Sequence, residues 1–221
     1  MKALSYQDLM KEFDVQVNEV SKAFTNYPWL DRRAYVSWLA QTYFYIRYTT
    51  RLVSLCAAKC RIEDQAFFEK TIWHLKEEVG HENIAIADLR NLGYAPDDIA
   101  ELPSTRAIYH SQVFFVEHYG PYAQLGYSML LEGMAGKAGP GVTKILTKTY
   151  GEKASKLLRV HAEEDPGHVE AGLVFLKDLD STARYAITKN LTEGTAVYCN
   201  MLSSAAIAAK TLAEPRLKAA A

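Results

Sequence analysis

The stretch His161-Ala-Glu-Glu-Asp165-Pro-Gly-His168 places two imidazoles and a carboxylate at relative positions 0, 4 and 7. On an α-helix, at about 100° per residue, these side chains fall within roughly 60° of one another around the axis. They form one polar stripe. Imidazole plus carboxylate is the ligand set favoured by iron, zinc and manganese in oxidising chemistry, and a single helix presents it rigidly to one point. Pro166 inside the stripe removes one i−4 hydrogen bond, and violations of helix rules concentrate at functional sites.

A second cluster lies in Trp73-His74-Leu-Lys-Glu77-Glu78-Val-Gly-His81. Glu78 and His81 have the i, i+3 spacing by which carboxylate-bridged di-iron bundles hold metal. Glu77 at i−4 from His81 and His74 at i−7 point to the same side, so spacing alone does not choose among them. Between the clusters, Glu132 interrupts an apolar helical run, Gly126-Tyr-Ser-Met-Leu-Leu-Glu132-Gly-Met-Ala. An ionised carboxylate buried there needs a partner. Glu77, Glu82, Glu163, Glu164 and Glu170 read as acids on a solvated helix face, and Asp88 as a partner for Arg90 or a neighbouring helix.

Composition bounds the rest. The 221 residues, 49% hydrophobic and 23% charged with a net charge of −1, are those of a soluble globular protein. A chain of this length buries about 70% of its unfolded surface, so a metal is expected to serve catalysis rather than hold the core. No block of Lys or Arg forms a nucleic-acid or acidic-membrane footprint. No apolar run reaches the roughly 18 residues of a membrane span, and the N-terminus lacks a signal-like apolar region. A small-molecule substrate, no nucleic-acid or membrane partner and a cytoplasmic location are expected, with a homodimer left open. Cys56, Cys60 and Cys199, odd in number and in apolar helical surroundings, read as plain thiols.

The elements that must position these residues are helices, for strand signals are nearly absent. The pattern predicts a helix over about 5–24 and a long one over 31–60, in which Trp38, Tyr43, Phe44, Tyr45 and Tyr48 are candidates for a pocket wall. A third, over 63–92, carries the first cluster and closes at Gly93. Another runs from Ser104 to near Gly120, and Pro121 opens the one that carries Glu132. The run Gly136, Gly139, Pro140, Gly141 predicts a break, followed by a short helix over 142–150 and a long one bearing the His161 stripe as far as Leu179. Asp180 and Ser181 cap a last helix over about 182–210, with a frayed tail beyond. The expected architecture is all-α, a single domain over residues 1–221 made of seven or eight helices.

Together these residues resemble the heme-oxygenase-like di-iron oxidases and oxygenases, and the resemblance spans nearly the whole chain. It implies a heme-oxygenase-type bundle. It also implies a metal set made of an early Glu and His, here Glu78 and His81, a Glu on a middle helix, here Glu132, and a His-x-x-x-Asp-x-x-His motif, here His161, Asp165 and His168. The early Glu-to-His spacing varies in that family and is short in this chain, so Glu77 and His74 stay as alternatives that a bulge or break at Gly80 would decide. The implied cofactors are two Fe(II) ions, manganese being the other candidate, with O2 as co-substrate. The implied reaction is oxidation of a small substrate, such as an amino acid or other amine-bearing metabolite, by N-oxygenation, C–C cleavage or desaturation.

Families that share the fold imply other residues. A heme oxygenase needs an axial His on its first helix, and no His precedes His74. Thiaminase-type relatives use a mid-chain Cys, and residues 61–198 contain none. A cofactor-free oxidase resembling pyrroloquinoline-quinone synthase is one alternative, though it leaves three carboxylates aligned with three imidazoles unexplained. A metal-binding helical protein without turnover is another.

Overall fold

Ser5 starts the first helix by a reciprocal cap: its hydroxyl accepts the Asp8 N–H, and the Asp8 carboxylate accepts the Ser5 N–H. The computed structural model describes residues 4–215. Among them run α1 (Tyr6–Thr25), α2 (Arg32–Ile46), α3 (Thr49–Lys59), α4 (Gln65–Glu78), α5 (His81–Asn91), α6 (Pro103–Tyr119), α7 (Gln124–Tyr150), α8 (Lys156–Leu176) and α9 (Ser181–Ala209). The described residues contain no strand. None of these helices is long and apolar enough to cross a membrane.

α1 buries the stripe Leu9, Phe13, Val17, Val20 and Phe24 against α7 and α9. α2 is buried on nearly every side and packs on α5, α6 and α9. A helix with no solvent face must answer its polar groups internally. Ser37 donates to the Ala205 carbonyl at 2.9 Å, and Gln41 donates to the Ala100 carbonyl at 3.0 Å while accepting the Leu102 N–H at 3.0 Å.

The expected 31–60 and 63–92 helices are each interrupted, the first at Arg47 and Tyr48 and the second at Val79 and Gly80. Counted as interrupted single helices, these two pairs reduce the nine described segments to seven. In the opposite sense, the expected break at Gly136–Gly141 is absent, and α7 runs through Pro140 unbroken. The reason is close packing. A Cβ at Gly139 would stand 2.9 Å from the Ala162 Cβ, and one at Gly136 would stand 3.3 Å from the Pro166 Cγ. These glycines are therefore a contact surface that lets α8 lie close on α7, and burial along it offsets their poor helix propensity.

The start of α6 also differs slightly, with Leu102 at the cap and Pro103 in its first turn. Asp180 caps α9 as expected, accepting the Ala183 N–H at 2.8 Å. Of the tail expected to fray beyond about residue 210, residues 213–215 are exposed, with Tyr94 donating to the Ala213 carbonyl at 3.1 Å and Arg33 pairing with Glu214. The remainder of that expected tail, 216–221, lies outside the described residues.

Candidate metal centre

The interruption between α4 and α5 builds half of the site. α4 stops at Glu78, Val79 is extended, and Gly80 takes φ 94° and ψ 0°. That left-handed conformation is open to glycine and costly for other residues. It turns the chain so that His81 becomes the first residue of α5. Glu78 and His81 are buried, whereas Glu77 is exposed. Of the early candidates, the structure thus brings Glu78 and also His74 into the cluster and leaves Glu77 outside.

The other half comes from α7 and α8. Glu132 is buried on α7, Asp165 and His168 are buried on α8, and His161 is partly buried one turn before Asp165. α8 passes through Pro166 without a break. Its N-terminus is anchored from outside: Asp88 of α5 accepts the Leu157 N–H at 2.8 Å. Of the two partners read from sequence for Asp88, Arg90 or a neighbouring helix, the structure gives the second: it caps the helix that carries the stripe.

All six sequence-predicted donors converge. Glu78 Oε1 lies 3.3 Å from His74 Nε2, and Glu78 Oε2 lies 3.3 Å from His81 Nδ1. Glu132 Oε1 is 3.4 Å from the same His74 nitrogen, and Asp165 Oδ1 is 3.6 Å from His168 Nδ1. The rings of His74 and His168 have centroids 4.8 Å apart, and those of His81 and His161 are 4.9 Å apart. Two triads with donor atoms close enough for one cation result, His74/Glu78/His168 and Glu78/His81/His161. Glu78 belongs to both. His161 donates its Nδ1–H to the Leu157 carbonyl at 2.9 Å, because a carbonyl only accepts, and this leaves Nε2 with a free lone pair.

Two carboxyls of the cluster, Glu78 and Asp165, are driven apart electrostatically. Burial pushes Glu78 toward neutrality, but the imidazoles of His74, His81 and His161 outweigh it and hold the group well below the usual carboxylate range. Burial pushes Asp165 up to about 8, reinforced by Glu132 and Glu78 and opposed by His161 and His81. The Glu78 carboxylate raises His81 against the opposing effect of burial.

A cavity of about 90 Å³ adjoins the cluster, bounded by His74, Glu78, Glu132, His161 and Asp165 on one side. Trp38 and Tyr45 of the expected wall line it, whereas Tyr43, Phe44 and Tyr48 do not. Tyr48 instead stacks on Tyr109 with ring centroids 4.0 Å apart. Tyr127 and Tyr198, which sequence reasoning missed, complete the aromatic wall. Burial raises both phenols well above their ordinary range, so they remain neutral hydroxyls. Tyr198 carried no sequence signal, for it lies on α9 far from any donor in the chain. The thiols play no part: Cys56 is buried with its sulfur 3.3 Å from the Pro121 carbonyl, and all three cysteines are free.

No curated protein matches the chain. Among solved structures, it is similar to a domain of unknown function with a heme oxygenase-like fold from Shewanella denitrificans OS217, with a TM-score of 0.79, 19% identity and coverage of 90% of this chain and 91% of that one. It is also similar to a TenA homolog from Pseudomonas syringae pv. tomato str. DC3000, with a TM-score of 0.76, 13% identity and coverage of 90% and 91% respectively. At these identities the likeness shows a shared heme-oxygenase-like fold. The family described as iron-containing redox enzyme matches residues 36–195, and this protein belongs to that family.

Proposed function

We propose that this protein is an O2-dependent, non-heme di-iron oxidoreductase that oxidises a small organic substrate. The observation that carries the proposal is the position of Glu78, which offers one carboxylate oxygen toward each of two imidazole-bearing triads. Glu78, His81, Glu132, His161, Asp165 and His168 are the metal-holding residues in this reading, with His74 added to the Glu78/His168 side. The donor set suits iron or manganese, being imidazole and carboxylate without thiolate. The cluster also contains buried atoms that nothing answers: Glu132 Oε2, His81 Nδ1 and His168 Nδ1 have no hydrogen-bond partner. Buried orphans of this kind are costly, and coordination to a cation would satisfy them.

Iron bound at such a centre supplies the electrons that reduce O2 and so permits oxidation of a substrate. The protein's own residues do the rest. The Leu157 carbonyl holds the His161 ring with Nε2 available. Trp38, Tyr45, Tyr127 and Tyr198 give the cavity an aromatic wall. Away from the donor cluster the cavity lining carries no Lys, Arg, Asp or Glu. The substrate is accordingly small, with no charged partner away from the donors but with Thr42, Thr49, Gln124 and Ser128 able to hydrogen-bond it, and an amine-bearing metabolite falls within that class. Product analysis separates N-oxygenation, C–C cleavage and desaturation.

The test is to titrate chelator-stripped protein with Fe(II) without oxygen, count bound iron, and then admit O2. Two iron ions per chain and a transient visible absorption band are expected. Saturation at zero or one iron would overturn the reading.

A further inference from the structure

Behind the solvent face of α8, side-chain exposure falls step by step toward the buried donors, from 46% at Glu164 to 11% at His81 and 8% at Glu78. The same three groups touch in succession. Glu164 Oε2 lies 3.8 Å from His81 Nε2, while His81 Nδ1 faces Glu78 Oε2 at 3.3 Å. One imidazole thus turns one nitrogen to a half-exposed carboxylate and the other to the carboxylate shared by both triads. Among the described residues no Lys or Arg pairs with Glu164, so its charge is available to a cation from solvent. His81 Nδ1 is buried without a hydrogen-bond partner, which marks the inner end of the succession as short of a ligand. Glu164 is exposed, as read from sequence, and so are Glu163 and Glu170; what sets it apart is its contact with the His81 imidazole.

We propose that Glu164 is the uptake carboxylate of the metal centre: it captures a divalent cation at the surface and passes it by His81 to the Glu78/His81/His161 triad. This rests on the metal-centre reading above. A hydrated cation gives up water in stages, and each lost water must be replaced by a donor. The Glu164 oxygen supplies the first replacement while the ion is still partly solvated, and the imidazoles and Glu78 supply the later ones. Negative charge at the mouth of a buried site also raises the local concentration of cations and the association rate.

The experiment is stopped-flow mixing of Co(II) with chelator-stripped full-length protein, followed by the visible absorption of bound cobalt, with metal per chain counted at the end. In the Glu164→Gln variant, association should slow by about tenfold, with the final count unchanged. The Glu163→Gln variant removes the same charge one residue away and should stay within about twofold of the parent rate. An unchanged rate in Glu164→Gln, or equal slowing in both variants, overturns the route while leaving the metal centre intact. A lost cobalt ion in Glu164→Gln also overturns it, because Glu164 would then be a permanent ligand. Absence of Co(II) binding in the parent protein removes the centre and the route together.

Discussion

Half of the donor cluster comes from a helix that is interrupted and half from two that are not, α7 and α8, and Glu78 in the first half and Asp165 in the second are treated in opposite ways. On the α4–α5 side, the turn at Gly80 separates Glu78 and His81 onto two helices, so that His74 and His81 flank Glu78 from both ends of its carboxylate. Glu78 is held ionised as a result. On the continuous α8, Asp165 stays 3.6 Å from His168 Nδ1, beyond a normal hydrogen bond, and burial dominates to push it up to about 8. The backbone decides which environment each carboxyl receives. A pair of titratable groups driven apart within one site is a recurring mark of assigned roles.

The strongest way to break this comparison is at Glu78. Because it belongs to both triads, Glu78→Ala should lower iron affinity at both positions by at least about tenfold. Helical circular dichroism should be unchanged, since a core of this size does not depend on metal. Retention of one tightly held iron in metal analysis would mean that the two triads do not share Glu78. Exposed Glu77 supplies the internal control: Glu77→Ala should leave the iron count at the parent value.

A smaller effect, of opposite sign in the two halves, is expected from glycine-to-alanine substitution. At Gly80 a Cβ would meet only Asn83 Nδ2 at 3.7 Å, so there is room, but φ is +94°. Gly80→Ala should destabilise the protein by about 1–2 kcal/mol through the left-handed backbone alone. It should also weaken metal binding at the Glu78/His81/His161 triad, because relief of the strain moves His81. Gly167 lies inside α8 with nothing within 4 Å of an added Cβ. Gly167→Ala should therefore stabilise by about 0.5–1 kcal/mol. Urea unfolding of the metal-free variants checks both, and a shift of the same sign would show that the turn at Gly80 is not conformationally demanding.

The bundle and the gathering of six candidate donors were legible in the sequence because helical periodicity and i, i+3, i+4 and i+7 spacings are local properties. The Gly80 turn was visible only as a glycine between two donors, and its consequence, that Glu78 and His74 face inward while Glu77 does not, depends on a backbone angle. Gly136, Gly139 and Pro140 misled for the converse reason. Their local preference is for a break, and what overrides it is the neighbouring α8, which a linear pattern does not contain. Tyr198 and Tyr127 share the cavity through packing of α9 and α7, and Glu164 differs from Glu163 only by what stands opposite. Each of these is a tertiary fact with no signature in its own segment.

The joint between the two halves gives the smallest effect and the sharpest sign. Asp88 on α5 caps α8 at Leu157, so one carboxylate ties the His81 helix to the helix of His161, Asp165 and His168. Burial raises Asp88 to about 6, against the hydrogen bonds from the Leu157 and Lys156 backbone that favour its charge. A carboxyl whose folded pKa lies above its unfolded value binds more protons in the folded state between those values, so its contribution to stability falls as pH rises from about 4 to 6 and is constant above. The Asp88→Asn variant keeps an oxygen for the Leu157 N–H and removes the buried charge. Its stability relative to the parent should therefore grow over that pH window and be equal or greater at pH 7. Asp88→Ala removes the cap itself and should cost about 1 kcal/mol at pH 4. Subtracting each variant's urea-unfolding curve from the parent's in metal-free buffer cancels the other titrating groups. A parent that gains stability over Asp88→Asn as pH rises would mean that the charge at the head of α8 outweighs its burial, and the joint would then be held by the ion rather than by the hydrogen bond.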